Sequence, residues 1–447
     1  MSKDIKIKKG LNIRLKGEAS KTLSNAPRSR TFVIRPSDFH LITPKLEIKE
    51  GAKLLAGDIV FHSKSQEEIK FVSPVSGTLA KIERGAKRVI KELIIEADPQ
   101  DSYKDFGALT VDSMNTEDIK KHLLATGCWP FIKQRPYDII ANPDVMPKAI
   151  FVSALTTAPL AADYDFTLTG KESELQAAVT ALSKLTEGVV HVGVGANSVF
   201  NNLKDITVHK VSGIHPAGNV GTQIGEIDPV NKGETVWTIT PQDLVIIGEL
   251  LLTGKFNAER VIALSGSSVK SPKYYTTKIG AEVSTFVYDS GLNEENVRVI
   301  NGNVLSGDKI SLKSHLGYYS NTVTVIPEGD DYELFGWLLP VFSKESITRA
   351  LTFSWMTKKE YTLDTNTNGE HRAFVLTGNY EEVFPLDIFP MQILKACMVG
   401  DLDNMEALGM YEVAPEDFAL TEFVCVSKQP HQKIIRDGLD LMIKEIG

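Results

Sequence analysis

Phe71-Val72-Ser73-Pro74-Val75-Ser76-Gly77-Thr78-Leu79-Ala80-Lys81-Ile82 is two short alternating runs joined by a tight reversal. Ser73 to Gly77 supplies the turn, where glycine adopts backbone angles that a side chain would forbid. Outward from it the pattern repeats: LEIKEG and KLLAGDIVF lie upstream, RVIKELIIE downstream, and Glu50-Gly51 and Gly57-Asp58 mark further turns. Apolar and polar residues alternating with period two predict strands with one buried face. Residues 1–100 therefore read as one all-β barrel or sandwich module.

That layout resembles the biotinyl/lipoyl-type barrel-sandwich. In carriers of that fold the modified lysine sits at a hairpin tip just upstream of such a turn, and Lys64 lies near that place. Ser63 stands where an acidic residue usually precedes it, so Lys64 is expected to be a solvated loop charge. Residues 101–256 change rhythm. Apolar runs (AIFVSAL, GVVHVGVG, DITVHKV, ETVWTI) alternate with helical stretches, notably 171–186, where Leu175, Val179 and Leu182 share a face. The order strand, helix, strand predicts a Rossmann-like α/β domain with a connecting segment. Short strands with glycine turns return over 257–329, and 330–447 reads as largely helical at its end.

Several chemistries are excluded or weakened. A net charge of −8 with scattered basic residues gives no field for a nucleic acid. No stretch is long and apolar enough to span a bilayer, and the charged start offers no secretory signal, so a cytoplasmic location is expected. Cys128, Cys397 and Cys425 have no paired spacing for zinc or an iron-sulfur cluster, and are expected as reduced structural thiols. Gly193-Val194-Gly195 follows a predicted strand and precedes a predicted helix, the place for a dinucleotide loop, but Ser198 replaces the third glycine. Gly248 to Lys255 only superficially resembles a phosphate loop and is expected to be a helix end. His191, His209 and His215 have no metal-ligand spacing, and no metal is expected.

The candidate binding segment is Gly127 to Asp138. Its two prolines prevent a regular helix, and its aromatics interleave with cations. Trp129, Phe131 and Tyr137 offer faces for a flat ring, while Lys133 and Arg135 offer donors to a carbonyl oxygen. The same residues suit a protein-docking surface, or a linker anchored by buried aromatics. No catalytic residue is assigned.

The stretches KKGLNIRLKG (8–17), FVSPVSGTLAKIERGAKRVI (71–90), Gly213 to Thr222, NVLSGD (303–308) and EDFALTEFVCVSK (416–428), in that order, resemble the NqrA family. Its members belong to the sodium-translocating NADH:quinone oxidoreductase and are similar in domain order to RnfC and to the flavoprotein component of complex I. The resemblance implies a barrel-sandwich, a Rossmann-like domain, an SLBB β-grasp module and a helical end. It implies a translocase of the respiratory chain in which flavins and iron-sulfur centres on the partners NqrB to NqrF carry electrons from NADH. NqrA then holds no cofactor and contributes to quinone binding, at the ubisemiquinone-to-ubiquinol step, and to assembly. It would be held, chiefly by the membrane protein NqrB, on the cytoplasmic face of the bacterial inner membrane. The rival expectations are a docking scaffold without quinone contact and a soluble ligand-binding module.

Overall fold

The computed structural model describes residues 2–330 and 360–446, with 345 and 356 between them. Much of the first part of the 330–447 region thus lies outside the described residues.

The alternating N-terminal runs form two small sheets. Thr31–Ile34, Ile90–Ala97, Gly77–Arg84 and Lys53–Leu54 make one, and Pro44–Leu46, Ile59–Ser63 and Lys70–Val72 the other. Val60, Phe61, Phe71, Leu79, Leu93 and Ile95 are buried between them, with Phe61 stacked on Phe71 at 4.4 Å. Gly77 is needed for close approach, because a Cβ there would stand 2.1 Å from the Glu96 carbonyl oxygen.

The first 25 residues leave this module. Asp4–Ile7 pairs in parallel with Thr207–Gly213, and Ser20–Asn25 pairs in parallel with Lys273–Lys278. The division at 1–100 therefore groups residues that hydrogen bonding separates. Alternation places Ile5 and Ile7 on a buried face, but any open sheet edge satisfies such a strand equally well.

The α/β domain is built on a seven-stranded sheet. Its order is Asp4–Ile7, Thr207–Gly213, Val190–Val194, Ala149–Ala154, Val236–Thr238, Lys133–Arg135 and Ile139–Ile140. The first five are parallel and the last two pairings antiparallel. Ile150, Phe151 and Val152 are buried on both faces, as a central parallel strand requires. Helix Glu172–Ser183 buries Leu175, Val179 and Leu182, the predicted stripe. It packs on helix Pro241–Thr253, where a Cβ on Gly248 would lie 1.8 Å from the Glu174 carbonyl oxygen. Gly254 ends that helix at φ 71°, so 248–255 is a helix terminus.

Gly193-Val194-Gly195 is followed not by a full helix but by a single 3-10 turn, Val199–Asn202, where the Ser198 hydroxyl accepts the Phe200 amide. A one-turn element has no developed dipole to face a pyrophosphate. Gly193 instead makes room for Gln223, whose Oε1 would stand 2.0 Å from a Cβ.

A six-stranded sheet (Asp308–Ile310, Val297–Asn301, Thr322–Pro327, Glu259–Ser265, Lys273–Lys278, Ser20–Asn25) carries helix Ser284–Ser290 over Ile262, Leu264, Tyr275 and Val325. The C-terminal helices, chiefly Pro390–Val399 and His431–Glu445, enclose a separate core of Ile393, Leu394, Phe418, Ile435 and Leu439.

Candidate functional site

Strand Ala149–Ala154 leads through helix Glu172–Ser183 to its neighbour on one side. Strand Thr207–Gly213 leads through helix Val220–Ile227 back across to Val236–Thr238 on the other. The connections diverge between Ala149–Ala154 and Val236–Thr238. At such a switch point a crevice opens outside the strands' carboxyl ends.

The cleft found there is about 550 Å³. The sheet contributes Ser153, 155–158 and 238–241, and the helix start contributes Gly218, Asn219 and Val220. The six-stranded sheet adds 301–303, 306–308 and 317–322, and the C-terminal region adds Pro415, Glu416 and Gln432. Most polar groups here are neutral hydroxyls and amides. Ser153 donates to the Gly218 carbonyl at 2.7 Å and accepts from the Gln223 side chain at 2.8 Å. Thr157 accepts from the Gly218 amide at 2.8 Å and meets His215 Nδ1 at 3.1 Å. Burial pushes the His215 imidazole down to about 4, so it is neutral near neutral pH.

Charged groups sit at defined points. Asp243, 1% exposed, pairs with buried Arg260. Asp38 accepts the Tyr318 amide at 2.9 Å, and loss of hydration raises its carboxyl despite that bond. Glu416 keeps 42% of its side chain exposed, yet lost hydration, opposed by Arg135, draws its carboxyl up to about 7. Two neighbouring carboxylates, Asp417 and Asp138, push it in the same upward direction.

The structure separates the five residues of the candidate segment. Phe131 and Lys133 line the cleft, and Trp129, Arg135 and Tyr137 do not. Trp129 is fully buried, donates from Nε1 to the Ala141 carbonyl at 2.7 Å and meets Trp237 edge-on at 5.3 Å. Arg135 is buried against Asp417 at 2.7 Å and Glu416 at 2.8 Å. Tyr137, at φ 84°, offers its carbonyl to Arg436. Lys133 holds its ammonium 4.5 Å over the Tyr319 ring and 3.9 Å from Asp138. Burial opposes ionisation of Asp138, but Lys133 and Arg135 outweigh it and keep that carboxyl below its ordinary value.

Tyr164, Tyr318 and Tyr319 were not singled out from sequence, although the adjacent tyrosines in LGYYSN are a visible signal. His191 Nδ1 and His209 Nε2 meet at 2.9 Å, while His215 lies apart beside Thr157. No group of three potential metal ligands occurs among the described residues. Lys64 is exposed, and its tip is held by Gln66 donating to Asn142 at 2.9 Å. Cys128 and Cys425 are buried and Cys397 half-buried, and burial pushes the Cys397 thiol up to about 12.

A barrel-sandwich, an α/β sheet open at its switch point, a β-grasp-type sheet and a helical end define a multidomain α/β protein with a cleft where these parts meet. Residues 5–98 match the NqrA N-terminal barrel-sandwich hybrid domain, 114–256 the NqrA second alpha/beta domain, and 261–311 the NQRA C-terminal domain. Curated relatives, each named as the A component of Na(+)-translocating NADH-quinone reductase, align along the whole chain. That of Neisseria meningitidis serogroup A is 38% identical over 447 residues, covering 99% of this chain and 100% of the relative. That of Marinomonas sp. is 35% identical over 443 residues (98% and 99%), and that of Yersinia pseudotuberculosis 34% over 446 (99% and 100%). The chain belongs to the NqrA family of Na(+)-translocating NADH-quinone reductase components.

Proposed function

We propose that this chain serves as the NqrA component of a sodium-translocating NADH-quinone reductase and that its cleft receives the quinone ring. Full-length likeness to the family supports the first part. The second rests on one observation: the switch-point cleft is walled by Phe131, Lys133 and Asp138 of the candidate segment, the first two being among its five candidate contacts. Phe131 supplies an aromatic edge. Lys133, loosely held by Asp138 and the Tyr319 ring, can turn its ammonium to a quinone oxygen and stabilise charge that develops there on reduction. The carboxylates that line the same cleft, Asp38, Asp138, Asp243, Asp308 and Glu416, disfavour an anionic ligand, and its hydroxyls and amides suit an uncharged one.

In this reading flavins and iron-sulfur centres on the partner proteins deliver the electrons, and this chain contributes position and hydrogen bonds. No helix among the described residues is long and apolar enough to cross a membrane. Attachment to the cytoplasmic face through the membrane components, NqrB above all, accordingly belongs to the same proposal.

The test is titration of the full chain with a short-chain quinone, followed by tryptophan quenching. Saturable binding is expected, weakened about tenfold in Lys133→Ala, the loss of one charge-assisted hydrogen bond. Absence of saturable binding by the folded wild type would reduce the chain to a docking scaffold. A visible flavin or cluster band in the purified chain would contradict its cofactor-free role.

A further inference from the structure

Two buried residues with unpartnered donors pack around Phe131, which lines the cleft. Tyr318 lines it at 5% exposure, and its hydroxyl has no hydrogen-bond partner among the described residues. Arg260, 1% exposed, donates from Nη2 to Asp243, leaving Nη1 and Nε unpartnered among the described residues. Both residues surround Phe131: the Tyr318 ring stacks on it at 5.2 Å, and the guanidinium carbon stands 5.9 Å from its centroid. A buried donor left unsatisfied has lost its hydration without replacement, and folded proteins keep few of them. Three such atoms around one ring that faces a cleft call for an acceptor from outside.

Charge narrows what that acceptor is. Asp243 neutralises Arg260, so the floor carries no net positive charge for an anion. Burial holds the Tyr318 phenol well above its ordinary value, so it stays a protonated donor. We propose that Tyr318, backed by the Arg260–Asp243 pair, forms a carbonyl-binding subsite that receives one ring oxygen of a flat, neutral dione. This rests on the quinone reading above and adds the residues that recognise the head group.

Tyr318→Phe removes the hydroxyl and keeps the ring that packs on Phe131. With the full chain and a short-chain quinone labelled with ¹³C at its carbonyls, binding should weaken about tenfold. The infrared band of the bound carbonyl should move toward its unbound frequency, and thermal stability should hold or rise. Equal binding with an unchanged band would assign the vacant donors to water, overturning the subsite and leaving the quinone reading intact. Weaker binding with an unchanged band would also overturn it, since packing would then carry the loss. If the wild type binds no quinone while folded, both fall.

Discussion

Arg135 and Arg260 are each 1% exposed, yet their surroundings assign them opposite work. Arg135, on strand Lys133–Arg135, meets two carboxylates that arrive from the C-terminal region: Nη1 bonds Asp417 and Nη2 bonds Glu416. Helix Val220–Ile227 yields space for them at Gly221, where a Cβ would stand 2.3 Å from both Arg135 Nη1 and Asp417 Oδ1. This guanidinium latches the C-terminal helices to the α/β sheet. Arg260 has a single carboxylate partner and two vacant donors beside a cleft. Arg135 keeps one donor, Nε, without a partner among the described residues and Arg260 keeps two, so what separates the latch from the site is the second carboxylate and the number of donors left over.

The largest test of that contrast is Arg135→Ala. It strands Asp417, 2% exposed in its side chain, without its counter-ion, and should lower unfolding free energy by about 3–5 kcal/mol in denaturant titration. A loss under about 1 kcal/mol would break the latch reading. It also makes this substitution a poor probe of quinone contact, because a binding defect would follow from misfolding.

The pair Asp243→Asn/Arg260→Met should behave differently. Asparagine can still serve the Thr240–Asp243 cap of helix Pro241–Thr253, and the vacant donors disappear. Stability should change by less than about 1 kcal/mol while quinone affinity drops. A loss as large as that of Arg135→Ala would show that Arg260 too is a latch.

A smaller effect sharpens the contrast through pH. His431 lies buried in the C-terminal core against Tyr380 and Thr421, and burial pushes its imidazole from 6.5 down to about 4. The folded value lies below the unfolded one, so the unfolded chain takes up the proton first. Stability from this group is present above 6.5 and is lost as pH falls toward 4. Glu416 has the opposite sign: lost hydration, opposed by Arg135 and helped by Asp417 and Asp138, raises its carboxyl, so its contribution is present at acid pH and is lost as pH rises through the raised value. His431→Gln should shrink the drop in melting temperature between about pH 7 and about pH 4.5. An unchanged drop would place the acid-sensitive region outside the C-terminal helices.

Particular elements show what could be read in advance. Alternation around Ser73 to Gly77 predicted the barrel-sandwich, and Leu175, Val179 and Leu182 predicted the buried stripe of their helix. Both signals are local, because side-chain direction repeats every 2 or 3.6 residues along one element. The helix expected after Gly195 is absent, since one serine cap and a 3-10 turn satisfy the same short polar run. Of the segment 127–138, residue types announced binding chemistry, but Trp129 and Arg135 spend theirs inside the protein.

By itself, then, the sequence determined the order of modules, the face that each regular element buries and, through ordered strings from residue 8 to residue 428, the family. Tertiary structure alone decided that the first 25 residues complete two distant sheets, and that a cleft opens where connections diverge from Ala149–Ala154 and Val236–Thr238. It alone decided which donors stay vacant. A hydrogen bond is satisfied or left open by whatever the fold brings within about 3 Å, and for Tyr318 and Arg260 those neighbours come from segments far apart in the chain.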